Sequence, residues 1–246
     1  MSQNFVQESN LSDIILPLIW AEYDTDKKNL TPIELIGTGF LIGNRGFALT
    51  AGHVIDQLKE AVERKGGVLI THIFNNQGVQ PFLIKDSAKH PDADVGIIKI
   101  DQDNLKTWLR LSDFPHNASA PYIGWGYPKE TAEELSLIKE NAKLRPDLIY
   151  TEGYIRRTIN THLPSSLFVG TKFYEVSDLG GPGYSGSPII FEKSIGAKFW
   201  DVIGIYIGEK EGRGAPVGYV VRIDAVSNWA PELLGCTIKE ESLKCG

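Results

Sequence analysis

A chain of 246 residues, 42% hydrophobic and 23% charged, has room for one large all-β domain or two small packed barrels with an ordinary globular balance. A net charge of −6 with no Lys/Arg cluster long enough to track a phosphate backbone argues against a nucleic-acid partner. No stretch approaches the roughly 20 consecutive apolar residues that span a bilayer, which argues against a membrane partner. Met1–Glu8 has neither the basic nor the apolar region of a secretory leader. Cys236 and Cys245 are the only cysteines, so two unpaired thiols in a reducing cytoplasm are the simpler expectation, with a bridge between them as the alternative.

In chain order, Ile14–Tyr23 and Ile33–Ile42 read as strands, the second ending at the turn signal Gly43-Asn44-Arg45-Gly46. Phe47–Thr50 follows as a short strand that delivers His53. Apolar residues at Ile55, Leu58, Ala61 and Val62 predict a helix over Ile55–Lys65. Val68–Phe74, Gln80–Ile84 and Val95–Ile100 complete a first set of strands, and Lys99–Asn117 reads as a linker. A second set starts near Ala120 with Pro121–Pro128. Lys129–Pro146 is highly charged and reads as a surface insertion or lid. Strands are expected at Leu148–Arg157, Leu167–Tyr174, Pro188–Phe191, Trp200–Tyr206 and Gly218–Arg222, then a short helix over Asp224–Leu234 with Asp224 as N-cap. Two batches of short strands with a closing helix favour paired β-barrels.

The chemistry is concentrated in Gly183-Tyr184-Ser185-Gly186-Ser187-Pro188 and in a His and an Asp upstream. A serine hydroxyl is a weak nucleophile at neutral pH until an imidazole takes its proton, and a carboxylate must hold that imidazole in the right tautomer. His53 stands in Thr50-Ala51-Gly52-His53, and Asp94 opens Asp94-Val95-Gly96-Ile97-Ile98. Asp86 and Asp92 are its rivals, but only Asp94 directly precedes the apolar run. Gly183 permits a turn that points its own N–H and that of Ser185 into one small volume, where an oxyanion could be held. Each residue alone reads as a turn serine, a surface histidine or a loop aspartate. In combination they read as a nucleophile, its base and an orienting carboxylate. The α/β-hydrolase order fails because no histidine follows Ser185. A subtilisin-like order, which Asp13, Asp24 or Asp26 could open, fails because the surrounding chain lacks alternating helices and parallel strands.

These motifs, with Val202-Ile203-Gly204-Ile205-Tyr206 as a cleft strand, resemble the trypsin-like (chymotrypsin-fold) serine peptidase family, bacterial-type branch. The resemblance covers about residues 33–234. It implies an all-β fold of two packed six-stranded Greek-key β-barrels with a short C-terminal helix. The single domain would divide into a barrel at about 14–108, a barrel at about 118–224 and a helix at about 224–234. It further implies catalysis by His53, Asp94 and Ser185, an oxyanion hole from Gly183 and Ser185, and substrate contacts from Leu179, Ile205 and Tyr206. No cofactor or metal is implied. The partner would be a protein or peptide substrate, with a separate regulatory protein as a further option.

Two departures from the family pattern bear on function. The residue before the nucleophile is often an Asp that pairs with a newly cleaved N-terminus, whereas here it is Tyr184, which cannot form that ion pair. The oxyanion hole is therefore expected to be preformed or set by a partner, which leaves a latent or silent partner-binding module as the alternative to an active peptidase. The base of the primary pocket falls near Asp178-Leu179. Leu179 there would favour apolar side chains and Asp178 would favour Lys or Arg, with the apolar pocket preferred. Tyr206 stands where glutamate-specific relatives carry a histidine, which disfavours glutamyl specificity.

Overall fold

The computed structural model describes residues 11–24, 29–75, 78–131, 146–163, 168–178, 180–211 and 216–244. Strands β1 (Ile15–Asp24), β2 (Asn29–Ile42), β3 (Phe47–Thr50), β4 (Val68–Asn75), β5 (Gly78–Lys89) and β6 (Gly96–Ile100) close into an antiparallel barrel in the order β1-β2-β3-β6-β5-β4. Register shifts at Leu18/Ile19 and Trp20/Ala21 bend β1, so one strand can pair with β2 on one side and β4 on the other.

A second set comprises β7 (Leu109–Leu111), β8 (Pro121–Gly126), β9 (Ile149–Ile159), β10 (Phe173–Val176), β11 (Pro188–Phe191), β12 (Trp200–Glu211) and β13 (Pro216–Arg222). Six of these run β11-β8-β9-β10-β13-β12, and pairing of β11 with β12 closes the ring. The chain is thus a chymotrypsin-like pair of six-stranded barrels, mostly strand, with short helices at its C-terminal end.

The main core runs from Leu16, Phe40 and Ile98 in the first barrel to Ile205, Val221 and Ile223 in the second, so the barrels share an apolar interface. A separate cluster fills the second barrel with Tyr122, Tyr174, Tyr184 and Tyr206 among aliphatic residues. Each of these phenols has a hydrogen-bond partner, as buried hydroxyls require.

Three differences from the sequence reading have identifiable causes. The first helix, α1, spans Gly52–Lys65 rather than beginning at Ile55, so His53 lies in its first turn. The linker contains β7, which pairs in parallel with the outer edge of β12 through Leu109↔Trp200. A three-residue strand is too short for periodicity to reveal. The helix expected over 224–234 is instead a single turn, α2 (Ile223–Val226), and a later helix, α3 (Ile238–Ser242). Pro231 lacks an N–H and disfavours helical geometry at Ala230, whereas Thr237 and Glu240 form a capping box that starts α3. Asp224 lies in the first turn of α2, where its carboxylate pairs with Arg222 and Lys172 rather than capping. Of the predicted insertion, residues 132–145 lie outside the described residues, as does Leu167, the first residue of the strand expected over Leu167–Tyr174.

His72 on β4 is 4% exposed, its Nδ1 has no partner, and burial pushes its pKa down to about 4. The unfolded chain therefore takes up a proton near pH 6.5 that the folded chain refuses until about pH 4. Stability is expected to fall through that window, by up to about 3 kcal/mol. Urea unfolding at pH 7, 5.5 and 4 should show His72→Leu losing less stability on acidification than the parent. Equal losses in both would rule out His72 as the cause.

Candidate active site

In the antiparallel pairing of β3 with β6, Thr50 stands opposite Gly96. The chain continuing from Thr50 into α1 therefore runs beside the chain entering β6, which brings His53 and Asp94 together. His53 Nδ1 lies 2.8 Å from Asp94 Oδ2, and the His53 backbone N–H donates to Asp94 Oδ1 at 2.7 Å. The second bond explains the early start of α1. Its N-cap residue, Ala51, has no side chain able to accept from the free N–H groups of the first turn. Asp94 supplies that acceptor from the bend that leads into β6. The first bond fixes the imidazole. A carboxylate can only accept, so Nδ1 carries the proton and Nε2 is left as the basic nitrogen. Asp94 is buried, held by its own N–H to Val169 O at 2.8 Å, while the His53 side chain is 35% exposed. The rivals do not compete: Asp86 and Asp92 are both exposed.

The segment carrying Ser185 is bonded directly to the first barrel. Thr38, fully buried on β2, donates its N–H to Ser185 O at 2.9 Å and its hydroxyl to Gly183 O at 2.9 Å. The same hydroxyl accepts from Tyr127 N at 2.9 Å, and Thr38 O accepts from the Thr50 hydroxyl at 2.6 Å. The chain just before His53 and the chain around Ser185 thus meet on one residue. Gly186 has φ +94°, and a Cβ there would lie 2.0 Å from Thr38 O and 2.3 Å from Thr50 Oγ1, so no side chain fits.

The amides around Ser185 divide into spent and unspent groups. Pro182 O accepts from Lys129 N at 2.8 Å, and a trans peptide turns the following N–H to the opposite side. Gly183, at φ +87°, therefore presents its N–H away from Lys129. Tyr184 N donates to Gly181 O and Gly186 N to Tyr206 O. Among the described residues, the N–H groups of Gly183 and Ser185 donate to nothing, and the half-buried Ser185 hydroxyl makes no hydrogen bond. These are the two donors the sequence assigns to an oxyanion, available together with a free hydroxyl.

Tyr184 is anchored by packing. Its ring is buried edge-on to Tyr206, with centroids 5.4 Å apart, and its hydroxyl pairs with Thr151 Oγ1 at 2.9 Å. Burial pushes both phenols well above the usual tyrosine range, so both stay neutral. Of the residues expected to contact substrate, Ile205 proves to be fully buried in the main core. Strand alternation places its side chain on the face opposite Tyr206. Tyr206 accepts from Gly180 N at 3.2 Å and donates to Glu209 Oε1 at 2.9 Å. Asp178 is half-buried and its N–H donates to Tyr122 OH, whereas Leu179 lies outside the described residues. Thr38 and Glu209 were not singled out in the sequence. For Thr38 the available signal was its place between Gly37 and Gly39 in mid-strand, where glycines mark a close backbone approach.

The family model for trypsin matches residues 24–230 of this chain, which therefore belongs to the trypsin family. No curated protein matches. The MamO protease domain from Magnetospirillum magneticum is 12% identical with a TM-score of 0.60, over 90% of this chain and 98% of that one. Deg5 is 16% identical with a TM-score of 0.61, over 94% and 97% of the two chains. The active form of the Rv3671c protease from M. tuberculosis is 17% identical with a TM-score of 0.54, over 92% and 85%. At these identities the likeness establishes the fold.

Thr38→Val keeps the side-chain shape and deletes the hydroxyl, leaving Gly183 O and Tyr127 N without that partner. We expect a loss of about 2–4 kcal/mol in urea unfolding. A loss within about 0.5 kcal/mol, the range of an ordinary surface substitution, would show that the hydroxyl does not tie the segment down.

Proposed function

We propose that this trypsin-family chain is a serine endopeptidase that hydrolyses peptide bonds through an acyl-enzyme on Ser185. The observation that carries this reading is the doubly bonded His53–Asp94 pair, which leaves Nε2 as the free base of a histidine whose ring and backbone are both fixed. In this mechanism Ser185 Oγ attacks the substrate carbonyl carbon and passes its proton to His53 Nε2. Asp94 remains ionised and stabilises the imidazolium. The carbonyl oxygen, now negative, takes hydrogen bonds from the Gly183 and Ser185 N–H groups. Nε2 then gives the proton to the departing amine, and water attacks the ester by the same route in reverse.

The bond from Lys129 N to Pro182 O supports an active form over a latent one awaiting a partner, because it leaves the Gly183 N–H unspent in the free chain. The substrate is a protein or peptide, and the setting is intracellular. Two cysteines in 246 residues, with Cys236 a free thiol, support that setting.

A fluorophosphonate probe should label the purified protein at Ser185, and Ser185→Ala should abolish labelling. Asp94→Asn is expected to lower kcat on a cleaved peptide about 10⁴-fold, since it loses the tautomer the base requires. Labelling that persists in Ser185→Ala, or full activity in Asp94→Asn, would overturn the assignment.

A further inference from the structure

Beside Ser185 two stretches of the chain are linked by hydrogen bonds. Gly186 N donates to Tyr206 O and Tyr206 N to Ser187 O, so β12 is joined to the segment just past Ser185. From that joint one stretch leads back through Gly181 and Gly180 and the other on through Gly208 and Glu209. Two side chains cross the space between them. Tyr206 OH accepts from Gly180 N, and Glu209 Oε1 accepts from Gly181 N at 2.6 Å and from Tyr206 OH at 2.9 Å.

Tyr206 and Glu209 are three apart, and in a regular strand residues three apart point to opposite faces. They meet here because the pairing of β12 with β13 slips between Tyr206 and Gly208. Ile207 is the extra residue of a β-bulge, and Gly208, at φ +131°, takes a conformation open to glycine. The bulge returns Glu209 to the face that carries Tyr206. Gly218 on the neighbouring strand leaves the room that the tyrosine ring fills, since a Cβ there would lie 2.9 Å from Tyr206 Cε2.

We infer that Glu209, turned inward by this bulge and held by Tyr206 and Gly181, closes a crevice beside Ser185 and restricts the residue before the scissile bond to Gly, Ala or Ser. A longer side chain would have to break both hydrogen bonds to Oε1 and leave the Tyr206 hydroxyl, in a 1% exposed residue, without its acceptor. The inference deepens the peptidase reading and rests on Ser185 as the reacting residue.

The test uses hexapeptides that differ only in the residue before the cleaved bond, with Ala, Ser, Leu, Phe or Lys there. They are turned over by the parent, Glu209→Ala and Glu209→Gln proteins and, separately, bound by calorimetry to Ser185→Ala protein. The parent should favour Ala and Ser over Leu and Phe by about tenfold or more in kcat/KM, the scale on which a hydrophobic pocket discriminates size. Glu209→Ala should erase most of that difference. Glu209→Gln, whose amide oxygen can accept the same two hydrogen bonds, should keep it. A parent that turns over Leu or Phe as well as Ala would overturn the inference. So would a Lys preference that Glu209→Gln abolishes, since Glu209 would then be recognising a cation. A size preference in binding without cleavage of any peptide would sustain the closed crevice and overturn the peptidase reading.

Discussion

Thr38 gathers hydrogen bonds that hold the two barrels in register, and the candidate site depends on that register. The proposed general base His53 and its carboxylate Asp94 belong to the first barrel, and the proposed nucleophile Ser185 belongs to the second. An apolar interface alone is non-directional and tolerates small slips. Thr38 adds direction: its N–H, hydroxyl and carbonyl are committed to Ser185, Gly183, Tyr127 and Thr50. All four contacts lie in a residue without solvent exposure, where a broken hydrogen bond cannot be replaced by water. A slip of one barrel against the other would therefore break several bonds at once.

Asp94 couples local folding to chemistry in a similar way. One of its oxygens satisfies the first turn of α1 and the other holds the imidazole. A carboxylate at a helix N-terminus is favoured by the helix dipole, so the bond to Asp94 suits the start of α1 as well as the imidazole. Asp94 thus holds the His53 ring and also the backbone from which that ring projects.

The parts legible in the sequence are those whose cause is local. Gly183–Pro188, Thr50–His53 and Asp94–Lys99 each carry their geometry in adjacent residues, and the strands around them alternate or run apolar over enough length to be seen. Features set by distant residues were not legible. Helix α1 starts at Gly52 because Asp94 caps it, and nothing between Ala51 and Ile55 announces this. Strand β7 exists because β12 offers it an edge. Ile205 was assigned to the cleft with the whole of Val202–Tyr206, the strand that the resemblance placed there, whereas alternation along β12 sends its side chain to the core on the face opposite Tyr206.

The replacement of an ion pair by aromatic packing at Tyr184 has consequences for control. A segment held by a carboxylate and a newly made amino terminus assembles only after cleavage and titrates with both groups. Here the segment is held by a buried neutral phenol on Thr151, an edge-on contact with Tyr206 and the Lys129–Pro182 bond. None of these needs a proteolytic event. Burial keeps the Tyr184 and Tyr206 phenols neutral across the physiological range. Tyr206 thereby links two properties that could have been separate. Its ring supports the residue before Ser185, and its hydroxyl holds Glu209. A change at Tyr206 would disturb the support of Ser185 as well, whereas a change at Glu209 would spare the ring contact. On the proposed reading, variation in side-chain preference is therefore physically easiest at Glu209, whose removal leaves the packing of Tyr184 on Tyr206 in place.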